Sequence, residues 1–132
     1  RHSVRVEDYL EVLHELELVE GRAKPARIAE SLAVARPSVT KMLKRLDEEG
    51  LVDYERYRGA VLTDEGRAAA ISLRERHSLL VRFLSILGVD EETAHTDTEG
   101  IEHHLHETTL DALRALVEKA ESDPDWWSAR NE

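Results

Sequence analysis

The chain has 132 residues, 41% of them hydrophobic and none of them cysteine, and its formal net charge is −10. These values suit a globular protein of one domain, or of two small domains that share an element, and they exclude disulfides, thiolate zinc sites and cysteine nucleophiles. Since no apolar run approaches the roughly 20 residues that span a bilayer, and the first residues lack the apolar stretch of a signal peptide, we expect a cytoplasmic protein without a membrane partner.

Three amphipathic helices are predicted in the first fifty residues. In the stretch SVRVEDYLEVLHELELVEG the apolar residues recur with a helical period, and Ser3 and Gly21 are typical of the two helix ends. Pro25 is placed to open a short second helix. The stretch RPSVTKMLKRLDEEG predicts a third helix with one apolar face, made of Val39, Met42, Leu43 and Leu46.

The pattern changes after Gly50. The stretch LVDYERYRGAVLT predicts a β-hairpin with Gly59 in its charged tip. Thr63 then caps a long helix of about 24 residues that is expected to join two domains, 1–63 and 64–132. Further helices are predicted at 90–106 and 108–121, before a break at Asp123 and Pro124, and the sequence leaves the structure of the end open.

The negative charge is concentrated in the C-terminal part of the chain. Residues 1–85 hold 15 Lys and Arg against 15 Asp and Glu, whereas residues 86–132 hold 3 against 13. Between residues 22 and 45 there are seven basic residues and one acidic residue, Glu30. Such a local excess matters more for attraction to phosphates than the charge of the whole chain.

Two short helices, a tight turn, a basic third helix and a hairpin together predict a winged helix-turn-helix. The third helix would enter the major groove by its N-terminal part, and the hairpin tip would meet phosphates or the minor groove. The predicted DNA-binding residues are Arg36, Pro37, Ser38, Thr40, Lys41, Lys44, Arg45, Tyr57 and Arg58. For the hairpin residues the alternative is a solvated loop, and for the whole domain it is an interaction module without a DNA target.

A second cluster of polar residues lies in the stretch EGIEHHLHE, residues 99–107. On a helix, Glu99, Glu102 and His103 would converge on one face within about one turn, where they can hold a cation. The alternative is a solvated helix face. Two other helices offer similar donors, namely Asp8, Glu11 and His77.

The other histidines fit this cluster less well. His14 and His95 have no matched partner in the sequence, and His104 is expected to face solvent or an interface. His106 would lie on roughly the same helix face as Glu99, and it is a candidate to contact a metal ligand without binding the metal itself.

Four segments resemble the manganese transport regulators of the diphtheria toxin repressor family: VEDYLEVL, SVTKMLKRLDEEGLVDYERYRGAVLT, RH at 76–77, and GVDEE followed by EGIEHHL. The resemblance covers nearly the whole chain. It implies a mainly α fold, in which a long helix joins the winged helix-turn-helix to an all-α dimerisation and metal-binding domain. It also implies a homodimeric, metal-activated repressor that binds palindromic, double-stranded operator DNA of metal-uptake genes. The ligands it implies for two Mn²⁺ ions per subunit are Asp8, Glu11, His77, Glu99, Glu102 and His103.

The donor chemistry agrees with that resemblance, because carboxylates and imidazoles without sulfur suit Mn²⁺ or Fe²⁺. Fe²⁺, Zn²⁺, Cd²⁺ and Co²⁺ are the alternative ions, and an Fe²⁺-responsive repressor of the same family is the alternative function. A di-metal carboxylate enzyme is disfavoured, since Leu105 replaces the histidine of a Glu-x-x-His motif after Glu102. A zincin motif fails in the same way, because Leu110 stands where HETTL would need its second histidine. We therefore expect no enzymatic activity.

Overall fold

A computed structural model describes residues 3–130 of the chain, except for the side chain of Val4. The described part is mainly helical, as predicted, with seven helices and two strands. In chain order these are α1 (Val4–Glu20), α2 (Pro25–Leu32), α3 (Arg36–Glu48), β1 (Val52–Glu55), β2 (Gly59–Leu62), α4 (Asp64–Ile86), α5 (Glu91–Ile101), α6 (Glu107–Ser122) and α7 (Pro124–Arg130). None of the helices in this part of the chain combines the length and the apolar character that crossing a membrane requires.

The chain divides into two units, one that runs up to Leu73 and one that starts at Arg74. This division falls inside α4, whereas the sequence predicts a domain boundary at the start of that helix, after residue 63. The latter boundary stays a prediction.

The core of the first unit forms where the apolar faces of α1, α2 and α3 meet. The large, fully buried side chains that these helices contribute include Tyr9, Leu10, Leu13, Ile28, Val39, Leu43 and Leu46. The ends of α1 are those predicted: the Ser3 hydroxyl accepts a hydrogen bond of 3.3 Å from the amide of Val6, and Gly21 ends the helix with a φ of 82°. Ala33, with a left-handed φ of 55°, forms the turn between α2 and α3.

The predicted hairpin is present as two antiparallel strands, with Val52 opposite Leu62 and Glu55 opposite Gly59. Hydrogen bonds of 2.8 and 2.9 Å between the backbones of Ala23 and Ala60 attach it to the segment before α2. Gly59 is required at this point because a Cβ there would lie 2.7 Å from the carbonyl oxygen of Ala23.

The start of α4 packs closely against the segment before the hairpin. The Thr63 hydroxyl accepts a hydrogen bond from the amide of Gly66 at 3.1 Å and donates one to the carbonyl oxygen of Gly50 at 2.7 Å. A Cβ on Gly66 would lie 1.9 Å from the carbonyl oxygen of Leu51. Thr63 therefore caps α4, as predicted, and Gly66 allows the close approach.

The second unit has its own apolar cluster, made of Leu79, Leu80, Leu110 and Val117. At its far end, the indole nitrogen of Trp127 donates a hydrogen bond of 3.0 Å to the carbonyl oxygen of Ile86. The break at Asp123 is confirmed, and a short helix, α7, follows it.

The prediction of one helix over 90–106 is wrong. Helix α5 begins as expected, with the Asp90 carboxylate accepting a hydrogen bond of 3.0 Å from the amide of Thr93, but it ends at Ile101. Residues 102–106 form a turn and an extended link to α6. The guanidinium group of Arg76 on α4 donates a hydrogen bond of 2.9 Å to the carbonyl oxygen of Glu102, which a continuing helix would use as the acceptor for the amide of residue 106.

Candidate metal centre and nucleic-acid interface

Helix α3 presents a basic face opposite its buried face. Arg36, Lys41 and Lys44 are exposed, and within residues 3–130 none of the three forms an ion pair. Pro37 is also exposed, at the first turn of the helix. Ser38 and Thr40 are half-buried. The predicted DNA-contacting residues of α3 thus lie at the surface or at its edge.

Two of the arginines that are predicted to contact DNA form ion pairs with neighbouring carboxylates. Nε of Arg45 lies 3.0 Å from Glu49, and a terminal nitrogen of Arg58 lies 3.1 Å from Glu55. These exposed pairs are weak, so a phosphate could replace the carboxylate at little cost. Their net charge is nevertheless zero, which distinguishes them from Lys41 and Lys44.

Arg27 contributes little to the basic face of the first unit. It lies between Glu20 and Glu30, and its pKa is raised, first by the hydrogen bond and charge of Glu20 and then by those of Glu30. The basic excess of residues 22–45 is therefore partly neutralised around α2 and remains on α3.

The hairpin tip consists of Arg56, Tyr57 and Arg58. Tyr57 is 89% exposed and has a φ of 74°, which is uncommon for a residue other than glycine. The guanidinium group of Arg56 lies 5.1 Å from the centre of the tyrosine ring. Arg56 is not among the predicted DNA-binding residues, although it adds a cation to the tip.

The candidate metal donors of the first unit lie on α1. Asp8 and Glu11 are both half-buried, and their carboxylates approach within 4.8 Å of one another. Their i, i+3 spacing on one helix places them side by side, as the sequence predicted. Glu15, one turn further on, is exposed.

The donors of the second unit meet around one buried carboxylate. The side chain of Glu102 is 3% exposed, and its Oε2 lies 2.7 Å from Nδ1 of His77 on α4. Its Oε1 lies 3.4 Å from Nε2 of His103. Because burying a charge is costly unless partners compensate it, this convergence of two imidazoles on one carboxylate is typical of a binding site.

Glu99 differs from the other predicted ligands of this segment. It is exposed on α5, whereas Glu102 and His103 are buried in the turn after the helix. The expectation that all three share one helix face is wrong, because α5 ends at Ile101. The role of Glu99 as a ligand stays a prediction.

The expectation that His95 has no matched partner is also wrong. Its Nδ1 lies 3.2 Å from Nε2 of His77, and the two ring centres are 5.4 Å apart. No local pattern could reveal this, because the two histidines are 18 residues apart and lie on different helices. His104 is exposed, in accordance with the sequence analysis, and His106 is exposed at the N-cap position of α6.

The donor set fits a divalent first-row cation. It consists of carboxylate oxygens and imidazole nitrogens, in a chain without cysteine, and such donors suit Mn²⁺ and Fe²⁺ and also accept Zn²⁺. The arrangement can therefore capture a cation.

Comparison with known proteins agrees with both halves of this description. Residues 2–60 match the family model described as iron dependent repressor, N-terminal DNA binding domain. Residues 63–126 match the model described as iron dependent repressor, metal binding and dimerisation domain.

Similar proteins include regulators named HTH-type transcriptional regulator MntR. The one from Lysinibacillus sphaericus is 44% identical over 120 residues, which are 91% of this chain and 86% of the relative. The one from Bacillus subtilis is 47% identical over 118 residues, which are 89% of this chain and 83% of the relative. These relatives regulate transcription, so the expectation that the chain is not an enzyme is confirmed.

Solved structures show the same fold. The metal-dependent transcriptional regulator MtsR superposes with a TM-score of 0.77 at 29% identity, over 86% of this chain and 53% of that one. ScaR with bound Zn²⁺ superposes with a TM-score of 0.74 at 33% identity, over 86% of this chain and 53% of that one. A protein from Sulfolobus solfataricus matches along 91% of its own length, with a TM-score of 0.74 at 27% identity. Since the two family models match residues 2–60 and 63–126, and relatives that are 44% and 47% identical cover about nine-tenths of the chain, the chain belongs to the iron-dependent repressor family of transcriptional regulators.

Proposed function

We propose that the chain is a manganese-responsive repressor: with Mn²⁺ bound, a homodimer binds palindromic operator DNA in the cytoplasm and silences manganese-uptake genes. The observation that carries this proposal is the convergence of His77 and His103 on the buried carboxylate of Glu102. Manganese is favoured over other ions because the donors are oxygen and nitrogen only, and because the similar regulators named MntR and the manganese regulator SloR carry that assignment in their names.

The proposed ligand set is larger than this cluster. It consists of Asp8, Glu11, His77, Glu99, Glu102 and His103, and it would serve two ions in each subunit. The family resemblance supports this set, and the side-by-side carboxylates of Asp8 and Glu11 on α1 support it further. Fe²⁺, Zn²⁺, Cd²⁺ and Co²⁺ are substitutes that carboxylate and imidazole donors also bind, and two related structures, both of ScaR, carry bound Zn²⁺ or Cd²⁺.

Electrostatics explains why these residues respond to a cation. Two unit charges 4.8 Å apart, the distance within which the Asp8 and Glu11 carboxylates lie, repel by about 1 kcal/mol in water and by about 3 kcal/mol near a protein surface. A bound divalent cation supplies the positive charge that offsets this repulsion. The carboxylates and imidazoles then hold one arrangement, and in the proposal that arrangement is the one that binds DNA.

DNA binding is assigned to the first unit. Lys41, Lys44 and Arg36 would contact phosphates from α3, and Pro37, Ser38 and Thr40 would lie near base edges. Arg45, Tyr57 and Arg58 would add contacts to the DNA backbone. The exposed cations of α3 support this assignment despite the negative charge of the whole chain.

The test is a selection experiment on the full chain. A pool of random-sequence duplex DNA is incubated with the protein and Mn²⁺, and the recovered duplexes are measured by fluorescence anisotropy with Mn²⁺ and after addition of EDTA. We expect an inverted repeat that is bound tightly with Mn²⁺ and released by EDTA. Equal binding in EDTA would overturn the metal dependence. Failure to enrich any sequence would instead favour an interaction module that does not bind DNA.

A further inference from the structure

The ring of His77 has a different neighbour at each of its two nitrogens. Nδ1 faces the buried carboxylate of Glu102 at 2.7 Å. Nε2 faces Nδ1 of His95 at 3.2 Å, where α5 brings an exposed imidazole beside α4. One side of His77 thus belongs to the candidate metal centre, and the other side is in contact with a residue that has no role assigned so far.

The positions of the protons follow from this geometry. A neutral imidazole has one N–H donor and one acceptor nitrogen, and a carboxylate can only accept. If Nδ1 of His77 donates to Glu102, then Nε2 of His77 must accept, and Nδ1 of His95 must be the donor. For two neutral rings beside an ionised Glu102, this geometry thus places the proton of each ring on Nδ1.

We propose that His95 is a positioning residue that prepares His77 to bind the cation, an inference that rests on the proposed function. Nδ1 of His77 must lose its proton to become a ligand, and the ring is neutral only if the proton is then on Nε2. In that form Nε2 of His77 donates to Nδ1 of His95, and the proton of His95 is on its own Nε2. Each ring keeps one proton, so the exchange changes tautomers without changing charge.

The benefit of this arrangement is known from other metal sites. A histidine ligand usually donates its second N–H to an acceptor, which fixes the orientation of the ring and strengthens it as a ligand, and loss of that acceptor lowers metal affinity by about 10- to 100-fold. Because His95 is exposed and water can partly replace it, we expect a loss of about 10-fold. A direct ligand role for His95 is disfavoured, because it contacts the nitrogen of His77 that does not face Glu102.

Two substitutions at this exposed position separate the effects. His95→Leu removes the hydrogen-bonding group, whereas the amide of His95→Asn places an oxygen or a nitrogen close to the position of Nδ1 and can either accept or donate. His104→Leu is the matched control, since His104 is also an exposed histidine of the same segment.

The experiment measures affinity and tautomers in the full chain. Mn²⁺ affinity is measured by calorimetry, and the ring nitrogens of His77 are followed by ¹⁵N NMR without metal and with ¹¹³Cd²⁺ at one fixed pH slightly above neutrality. We expect the His77 proton to move from Nδ1 to Nε2 when Cd²⁺ is added. Mn²⁺ should bind about 10-fold more weakly to His95→Leu, and with nearly wild-type affinity to His95→Asn and His104→Leu.

The possible failures are distinguishable. If the wild-type chain binds neither Mn²⁺ nor Cd²⁺, the proposed function is wrong and this inference is wrong with it. If the wild-type chain binds both ions but His95→Leu binds Mn²⁺ equally well, only the role of His95 is wrong. An equal loss of Mn²⁺ affinity in His95→Asn and His95→Leu would also overturn the role of His95. A residue that acts only as a hydrogen-bond acceptor should be replaceable by the amide of asparagine.

Discussion

Arg76 donates a hydrogen bond of 2.9 Å to the backbone carbonyl oxygen of Glu102, 26 residues away in the sequence. The guanidinium group is buried, and one of its other nitrogens lies 3.6 Å from the carboxylate of Glu107. Through this contact, α4 fixes the backbone of the turn that carries Glu102 and His103. The position of the candidate ligands thus depends on a residue outside the proposed ligand set.

Replacing Arg76 should therefore destabilise the second unit. Arg76→Met keeps most of the apolar side chain but leaves a buried carbonyl group without its charged donor, which should cost about 1–3 kcal/mol of unfolding free energy. Urea denaturation monitored by circular dichroism measures this change. Arg74→Met is the control, because Arg74 is exposed on the same helix. Equal stability of the two variants would show that the hydrogen bond contributes nothing.

Lys41 and Arg45 should contribute unequally to DNA affinity. Lys41 is free of ion pairs in the described part of the chain, whereas Arg45 is 3.0 Å from Glu49. If Lys41 contacts a phosphate, Lys41→Ala should lower the slope of log affinity against log salt concentration by about one, and Arg45→Ala should lower it by less. The measurement is a salt titration of fluorescence anisotropy with the selected duplex. Equal slopes for Lys41→Ala and the wild type, or a parallel loss of Mn²⁺ affinity, would contradict the assignment.

Two glycine substitutions should change stability in opposite directions. Gly66→Ala would place a Cβ 1.9 Å from the carbonyl oxygen of Leu51, so the start of α4 must move, and we expect a loss of about 1–3 kcal/mol. Gly100→Ala meets no atom within 4 Å and replaces a helical glycine, so it should add up to about 1 kcal/mol. Thermal unfolding followed by circular dichroism compares the two. Similar effects of both substitutions would mean that the contact with Leu51 relaxes freely.

Asp90, the N-cap of α5, should make part of the free energy of unfolding depend on pH. Hydrogen bonds from the amide and then from the hydroxyl group of Thr93 hold the pKa of Asp90 below its ordinary value. A carboxyl group with a lowered pKa in the folded state contributes stability above its unfolded pKa, and this is lost as the pH falls through the folded value. The wild type should therefore be more stable than Asp90→Asn at neutral pH, and the difference should begin to shrink near pH 4 and vanish only below the lowered pKa of the folded state.

Urea denaturation of both proteins across this pH range measures the difference. Asp97→Asn is the control, because Asp97 is exposed within α5 and away from its N-terminus. A difference between wild type and Asp90→Asn that persists unchanged in acid would contradict the charged cap.

Local sequence signals were sufficient for most of the fold. Ser3, Gly21, Pro25 and Thr63 mark helix ends by their own chemistry, and the structure has helices that begin or end at these points. The hairpin followed in the same way from alternation and Gly59. Such signals depend on neighbours in the chain, so a single sequence contains them.

The errors arise where distant residues decide the structure. Helix α5 ends at Ile101, with Glu102 rather than a glycine at the C-cap position, and the contact that accompanies its end comes from Arg76. His95 acquires its partner, His77, only when α4 and α5 pack together. The candidate ligands themselves could be named from the sequence through the family resemblance, but the burial of Glu102 and the exposure of Glu99 could not.

The central claim is that cation capture and DNA binding are coupled, and coupling between two sites must be reciprocal. The most direct measurement is the Mn²⁺ affinity of the full chain with and without the selected duplex, using Glu102→Gln as the variant that removes the buried charge. We predict that the duplex tightens Mn²⁺ binding by about 5- to 150-fold in the wild type, and that Glu102→Gln loses Mn²⁺ binding. The same Mn²⁺ affinity with and without the duplex would contradict the account.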